Sequence, residues 1–268
     1  MRERVRRAAT LCNPLGLGVL SIAVGAAVAL LVPPVAQWPE YHAFADRRAW
    51  LGIPNFADVI SNLMFTVVGL LGLRRLARDR SRLFIDRREA VPWSVFFRGL
   101  VLLGPASAWY HLAPDNAGLM LDRLAMSVVF MAWLAIHLGE RLGPSLGVHV
   151  LPWLLALGAV ALLYWYGSEL AGRGDLRPWG YVQFWPVVLV LLLIWCWPPR
   201  YSRSGDIPLV FAFYAAALLA EWVDRPLLEW TGLVSGHTLK HGLAALGAYW
   251  ALRWLVRRLA LTRTVGRA

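Results

Sequence analysis

The sequence predicts an all-α fold, a polytopic bundle of transmembrane helices with no soluble domain. Hydrophobic residues make up 59% of the 268 residues. Several apolar runs approach or exceed the roughly 18 residues that a helix needs to cross a bilayer. Basic residues are concentrated in the short links between those runs, as they are in multi-pass membrane proteins. We therefore expect residues 1–268 to form a single integral membrane domain.

Apolar runs separated by Pro- and Gly-containing links predict eight membrane-spanning helices. Their approximate spans are residues 14–35, 56–76, 92–112, 117–139, 148–167, 180–197, 207–224 and 237–257. The first run follows an Arg-rich start but is longer than the apolar part of a signal peptide, about 7–15 residues, so we expect it to be retained. Residues 56–257 would form a seven-helix core, and residues 14–35 would be an extra N-terminal helix.

The distribution of arginine predicts that both termini are cytoplasmic. Arginine-rich links alternate with links that carry few basic residues or balance them with Asp and Glu, and both ends of the chain are rich in arginine. Because basic residues accumulate on the cytoplasmic side, this alternation favours an even number of spans. It also accounts for the net charge of +11, so we do not expect a nucleic-acid partner.

A set of polar residues is expected at one depth, near the outer face of the membrane. His111 ends the third predicted helix, Asp122 lies just over one turn into the fourth, and His237 and His241 open the eighth. The i, i+4 spacing places Ser107 with His111, and His237 with His241, on common helix faces. Polar groups inside a bilayer are costly and mark functional sites. Three histidines suffice to hold zinc and leave one coordination position open.

Other interpretations of these residues remain open at this stage. A single histidine near a helix end is usually interfacial, which is our expectation for His42, His137 and His149. Ser107 alone is compatible with helix packing, and Asp122 with pairing to an arginine. Most tryptophans are expected in an interfacial belt, among them Trp38, Trp50, Trp109, Trp179, Trp222 and Trp230. Intramembrane charges with several open roles are Asp58, Arg98, Glu221 and Asp224.

Four segments together resemble the alkaline ceramidase family and its wider superfamily, which includes the progestin and adiponectin receptors. The segment 56–65, with Ser61 and Asn62, resembles the first-helix signature of the family. Ser107-x3-His111 matches its Ser-x3-His motif, and residues 120–126 resemble its Met-Leu-Asp segment. Residues 236–249 resemble its terminal His-x3-His helix. The four segments occur in the order found in the family and are specific as a set.

The resemblance implies a zinc-dependent hydrolase with a seven-helix core. It implies that His111, His237 and His241 bind the metal, with Asp122 and Ser107 nearby. The acidic calcium-binding segment of family ceramidases is reduced here to Asp46, Asn55 and Asp58, which argues against a requirement for Ca²⁺. The substrate would be a membrane lipid amide, and neither its exact structure nor the oligomeric state follows from the sequence.

The mechanism that we predict from these residues is amide hydrolysis at the extracytoplasmic side of the membrane. Asp122 would accept a proton from water and return it to the leaving amine. Ser107 would donate a hydrogen bond to the developing oxyanion. One alternative is a non-catalytic, receptor-like protein that senses lipid and holds a structural zinc. A haem protein is a further alternative, but two histidines one turn apart on one helix suit a single zinc better than haem.

Overall fold

The structure, a computed structural model, describes residues 13–261 and is all-α over that range. Two isolated β-bridges, Trp50 with Ile53 and Tyr201 with Ala260, are its only extended pairings between those residues. The α-helices are α1 (Pro14–Leu31), α2 (Phe56–Ser61), α3 (Leu63–Leu83), α4 (Ala90–Leu112), α5 (Asn116–Leu142), α6 (Pro144–Leu170), α7 (Arg177–Cys196), α8 (Asp206–Trp222), α9 (Asp224–Thr231) and α10 (Gly236–Arg257). Short 3-10 turns cover Pro39–His42 and Arg87–Glu89.

Six helical segments in the described range are long and apolar enough to cross a membrane, as expected of a multi-pass integral membrane protein. They are α1, α2 together with α3, α4 with the turn before it, α5, α6 and α7. Helices α8 and α9 meet the same criteria only as a pair bent by 77°, which gives seven spans if the pair is one. Helix α10 is 22 residues long, enough for about 33 Å. Its charged and histidine side chains make it too polar to meet the same criteria, so the predicted eighth span stays a prediction.

Two helix breaks differ from the predicted spans, and both have a local cause. The amide of Asn62 donates to the carbonyl oxygen of Asp58 at 2.8 Å and the Ser61 hydroxyl to the same oxygen at 3.0 Å, so side chains replace the backbone donor and α2 ends. The predicted helix 207–224 ends at Trp222 because Pro226 has no N–H for the Trp222 carbonyl. Both breaks lie beside the polar residues described below.

Other boundaries also move. Helix α1 ends at Leu31. The next residue, Val32, precedes Pro33, and a residue before proline favours an extended backbone. Helix α3 continues to Leu83. Most of the arginines predicted for the link between the second and third spans therefore lie in this helix. Helices α5 and α6 extend beyond the predicted 117–139 and 148–167 at both ends.

Helix α5 is the central element of the bundle. It packs against α4, α6 and α7, and two-thirds of its most apolar stretch is buried. On the other side of the bundle α10 packs against α8 and α3. Helix α1 lies at the periphery, where it contacts α7 and has Leu17 as its single buried residue. The predicted polar residues therefore lie on the most enclosed helices, α4, α5 and α10.

Gly236 allows α10 to begin against the bend between α8 and α9. A Cβ at this position would lie 2.0 Å from the carbonyl oxygen of Ala220 and 2.6 Å from Cα of Asp224. Both are backbone atoms, so the start of α10 would have to move. We expect Gly236→Ala to lower the melting temperature and the metal affinity measured on detergent-purified protein, since His237 is the next residue.

Gly242→Ala in the same helix is the matched control. A Cβ there meets only the tip of Met64 at 3.7 Å, an ordinary contact. Replacing a helical glycine by alanine at an unstrained position stabilises by roughly 0.5–1 kcal/mol. Equal melting temperatures for the two variants would contradict this account of the α10 start.

Candidate metal centre

The structure brings His111, His237 and His241 into one buried cluster. Each offers a ring nitrogen, and these three nitrogens lie within 4.8 Å of one another. The ring centroids are 4.8 Å apart for His111 and His237, and 4.9 Å for each of the other two pairs. All three side chains are at most 4% exposed. Three neutral imidazoles this close can hold one metal ion between α4 and α10.

The start of α10 is fixed by hydrogen bonds from several elements. Ser235 caps the helix, and its hydroxyl accepts from the backbone N–H of Thr238 at 3.0 Å. The Thr238 hydroxyl donates to the Asp58 carboxylate at 2.5 Å, placing negative charge at a helix N-terminus. The Asp224 carboxylate accepts from the backbone N–H of His237 at 2.8 Å. These contacts set the depth and rotation of the face that carries His237 and His241.

The hydrogen bond made by His241 leaves its other nitrogen free for a metal. The Ser61 hydroxyl lies 2.7 Å from Nδ1 of His241 and donates its proton to the Asp58 carbonyl oxygen at 3.0 Å. Because a hydroxyl has one proton, Ser61 must accept from His241, which places the imidazole proton on Nδ1. Nε2 of His241 then has an unprotonated lone pair, the state that a metal ligand needs.

Removing the Ser61 hydroxyl should weaken metal binding without removing a ligand. We expect Ser61→Ala to lower zinc affinity roughly 10- to 100-fold, the usual effect of losing an outer partner of a metal-bound histidine. Competition with a chelator of known affinity measures the change. Ser21→Ala is the control, because that hydroxyl donates only within its own helix, to Leu17. Equal affinities of the two variants would contradict the orienting role of Ser61.

His111 provides a second indication that the cluster suits a metal. Its Nδ1 is buried and has no hydrogen-bond partner among residues 13–261. Buried polar atoms in native proteins nearly always have a partner, either protein or a bound ligand. A metal ion between the three rings would satisfy such a nitrogen, so the donor set fits a metal with one open position.

Asp122 and Ser107 lie beside the cluster, at the polar end of a cavity that His241 also lines. Both side chains are buried, with 3% of Ser107 and 8% of Asp122 exposed. Oδ1 of Asp122 is buried and has no hydrogen-bond partner in the described part of the chain. No ion pair joins Asp122 to Arg123 or to any other described residue, so the alternative that Asp122 pairs with an arginine is wrong.

The segment between α1 and α2 folds over the cluster. The ring of Phe44 lies 4.5 Å from those of both His111 and His237, measured between centroids. Asp224 accepts from the backbone N–H of Ala45 at 2.9 Å, which ties this segment to the start of α10. His42 bonds to the Tyr110 hydroxyl at 2.9 Å and to Asn116 at 3.0 Å. His42 thus joins this segment to α4 and α5, and its predicted interfacial position stays a prediction.

Asp46, Asn55 and Asp58 are each engaged by the protein. Arg48 binds both oxygens of the Asp46 carboxylate, and these hydrogen bonds lower the pKa of Asp46. The Asn55 amide donates to the His111 carbonyl oxygen at 2.8 Å. Asp58 accepts from Thr238, as described above. Asn55 and Asp58 thus tie the start of α2 to α4 and α10, and Asp46 holds Arg48 within its own segment.

The cavity extends from the polar end into the bundle. Its volume is about 1330 Å³, including space open to the surroundings. Its far end is apolar and includes Phe96, Leu100, Val129, Trp133, Phe211 and Ala248. Asp122 and Trp133 are eleven residues apart on α5, so the apolar part runs for about 16 Å. That length and lining suit an alkyl or acyl chain.

Further charged groups surround the polar end. The Lys240 ammonium pairs with the Glu221 carboxylate, which also lies 3.7 Å from Nδ1 of His237. The Tyr41 hydroxyl donates to Glu221 at 3.3 Å, and burial raises the pKa of Tyr41 above its usual 10. Glu221 therefore links the histidine cluster to the only lysine in the chain. Among the described carboxylates, that of Glu221 is the one within 4.0 Å of a ring nitrogen of His237.

The sequence predicted that His111, His237 and His241 lie together, which the structure confirms, but it did not predict the contacts around them. It left Ser61, Glu221 and Asp224 with open roles and did not consider Phe44. The positions of Ser61, Glu221 and Asp224 depend on the two helix breaks, and that of Phe44 depends on the path of the segment after α1. Pro226, at the break after α8, is the one clear sequence signal for any of these features. His137 is fully buried and stacks on Trp254, so its predicted interfacial position is wrong.

The chain matches no protein-family model, and a search of the curated proteins finds no relative. The resemblance to alkaline ceramidases therefore stays a prediction that rests on the four sequence segments. The geometry of the histidine cluster is an independent observation and carries the functional argument below.

Proposed function

We propose that this protein is a zinc-dependent intramembrane hydrolase that cleaves the amide bond of ceramide or a related lipid amide. The products would be a fatty acid and a long-chain amine. One observation carries the proposal: Ser107 and Asp122 lie beside a three-histidine cluster where a long apolar cavity ends. A lipid whose chain fills the apolar part would have its polar linkage at the histidines.

The chemistry assigned to these residues is a balanced hydrolysis. When bound, zinc polarises a carbonyl group and activates water. Asp122 accepts a proton as water adds to the carbonyl carbon, then donates it to nitrogen as the carbon–nitrogen bond breaks. The Ser107 hydroxyl donates a hydrogen bond to the oxygen that becomes negative. The unpartnered Oδ1 of Asp122 suits the proton transfer, since no other donor occupies it.

The substrate is proposed to enter from the lipid between α7 and α8. Both helices line the cavity but make little contact with each other. The side chains of Gln183 and Tyr214 join them by a hydrogen bond of 2.8 Å. In the eight-span arrangement with cytoplasmic termini, α10 would be the last span and the site would face the extracytoplasmic side, so the lipid would come from the outer leaflet.

The test is an assay of detergent-purified protein with lipid amides, analysed for released fatty acid. We expect turnover of an N-acyl sphingoid base or a related lipid amide that stops on removal of zinc by a chelator and returns when zinc is added back. Zinc-loaded protein that releases no fatty acid from any of these amides would contradict the proposal.

A further inference from the structure

Arg123 is a buried arginine that makes no hydrogen bond to any residue from 13 to 261. Its side chain follows Asp122 on α5, is 6% exposed and lines the same cavity. Nη1 is fully buried and has no hydrogen-bond partner in the described part of the chain, and no described carboxylate lies within 4.0 Å of the guanidinium. A buried charge normally has an ion-pair partner, because its desolvation is otherwise uncompensated.

Two other buried arginines each have at least one polar partner. Arg258 forms an ion pair with Glu140, and Arg141 donates to the Trp197 carbonyl oxygen at 2.8 Å. Lys240, which also lines the cavity, is paired with Glu221. Arg123 is thus the cation in the cavity that lacks a counter-ion among residues 13–261.

Three aromatic rings from three elements hold the Arg123 guanidinium. Its central carbon lies 4.5 Å from the ring centroid of Trp165 on α6, 5.6 Å from Trp179 on α7 and 5.4 Å from Tyr41 in the 3-10 turn. Trp179 is only 4% exposed, so its predicted place in an interfacial belt is wrong. Ring faces attract a cation but accept few of its N–H groups. The rings thus fix the position of the guanidinium without supplying full hydrogen-bond acceptors for its N–H groups.

We propose that Arg123 binds a carboxylate on the amine side of the substrate, so that the preferred substrate is an N-acylated amino acid or a similar anionic lipid amide. This inference rests on the proposed function. Planar guanidinium groups bind carboxylates through paired hydrogen bonds. The acyl chain would occupy the cavity toward Trp133, with its carbonyl at the histidines. Arg123 lies at the opposite, polar end beside Tyr41, where the amine portion would extend.

The experiment compares two substrates with one acyl chain on the zinc-loaded full chain. We expect wild type to hydrolyse N-dodecanoyl glycine with kcat/KM roughly 10- to 100-fold above that for neutral N-dodecanoyl ethanolamine. Arg123→Gln should remove this preference, mainly through KM for the glycine conjugate, and Arg123→Lys should keep part of it. Arg98→Gln is the control, because Arg98 is exposed on α4 and does not line the cavity.

Two outcomes would overturn the inference. The first is an unchanged preference in Arg123→Gln whose zinc content matches wild type. The second is Arg123-dependent binding of free dodecanoate as tight as that of N-dodecanoyl glycine, which would assign Arg123 to the fatty-acid carboxylate.

Failure of the proposed function gives a different result. If wild type hydrolyses neither amide, calorimetric binding still tests Arg123. Binding of N-dodecanoyl glycine at least tenfold tighter than that of the ethanolamide, lost in Arg123→Gln, would support the anionic site. Equal binding of the two amides by wild type would overturn it.

Discussion

Asp122→Asn is expected to reduce hydrolysis of lipid amides roughly 10²- to 10⁴-fold, the range for loss of a general acid–base group. Asparagine preserves the shape of the side chain but cannot take up the proton from water. Zinc content should remain that of wild type, because Asp122 is not one of the three proposed ligands. Initial rates of fatty-acid release and metal analysis of one preparation measure both quantities.

Asp206→Asn is the matched control for this variant. Asp206 pairs with Arg203 in the first turn of α8, and Glu221 at the site lies about 22 Å further along that helix.

The comparison of Asp122→Asn with wild type also separates an enzyme from a lipid-sensing protein with a structural zinc. In such a protein Asp122→Asn would leave metal and ligand binding intact, and wild type would have no hydrolysis to lose. Full activity in Asp122→Asn would rule out its proposed role.

His241→Ala is expected to abolish hydrolysis and the part of the stability that depends on metal. A ligand that binds only the folded state adds about 2.7 kcal/mol when its concentration is 100 times Kd. A chelator should therefore lower the melting temperature of wild type, and should not change that of His241→Ala. Thermal unfolding with and without chelator measures the difference.

His149→Ala is the control variant, because it removes a histidine that is not part of the cluster. His149 is exposed on α6, and its Nδ1 bonds to the Ser145 carbonyl oxygen at 2.6 Å within the same helix. This variant should retain both the chelator effect and hydrolysis. A melting temperature of wild type that does not respond to chelator would contradict a bound metal that stabilises the fold.

The histidine cluster was predictable because polar residues are rare in apolar runs and helical spacing fixes the face on which they lie. His237 and His241 share a face by their i, i+4 spacing, and the alternating arginines placed His111 at the same depth. Hydropathy located six of the predicted spans, or seven if the bent pair α8–α9 is one span, because membrane-spanning helices need long apolar segments.

The surroundings of the cluster were not predictable, because they depend on departures from regular helices. Ser61 reaches His241 only because side chains compete for the Asp58 carbonyl and end α2. Glu221 lies beside His237 where α8 ends before Pro226, and Phe44 reaches the rings from a segment without regular structure. The role of Trp179 was misjudged because interfacial and buried tryptophans have the same sequence context.

The measurement that tests the central claim most directly is the metal content of detergent-purified protein, by mass spectrometry, with chelators avoided throughout. The account predicts about one zinc per chain in wild type and none in His237→Ala, which removes one of the three ligands. Wild type without metal, or a His237→Ala variant that binds as much zinc as wild type, would contradict a zinc site formed by His111, His237 and His241.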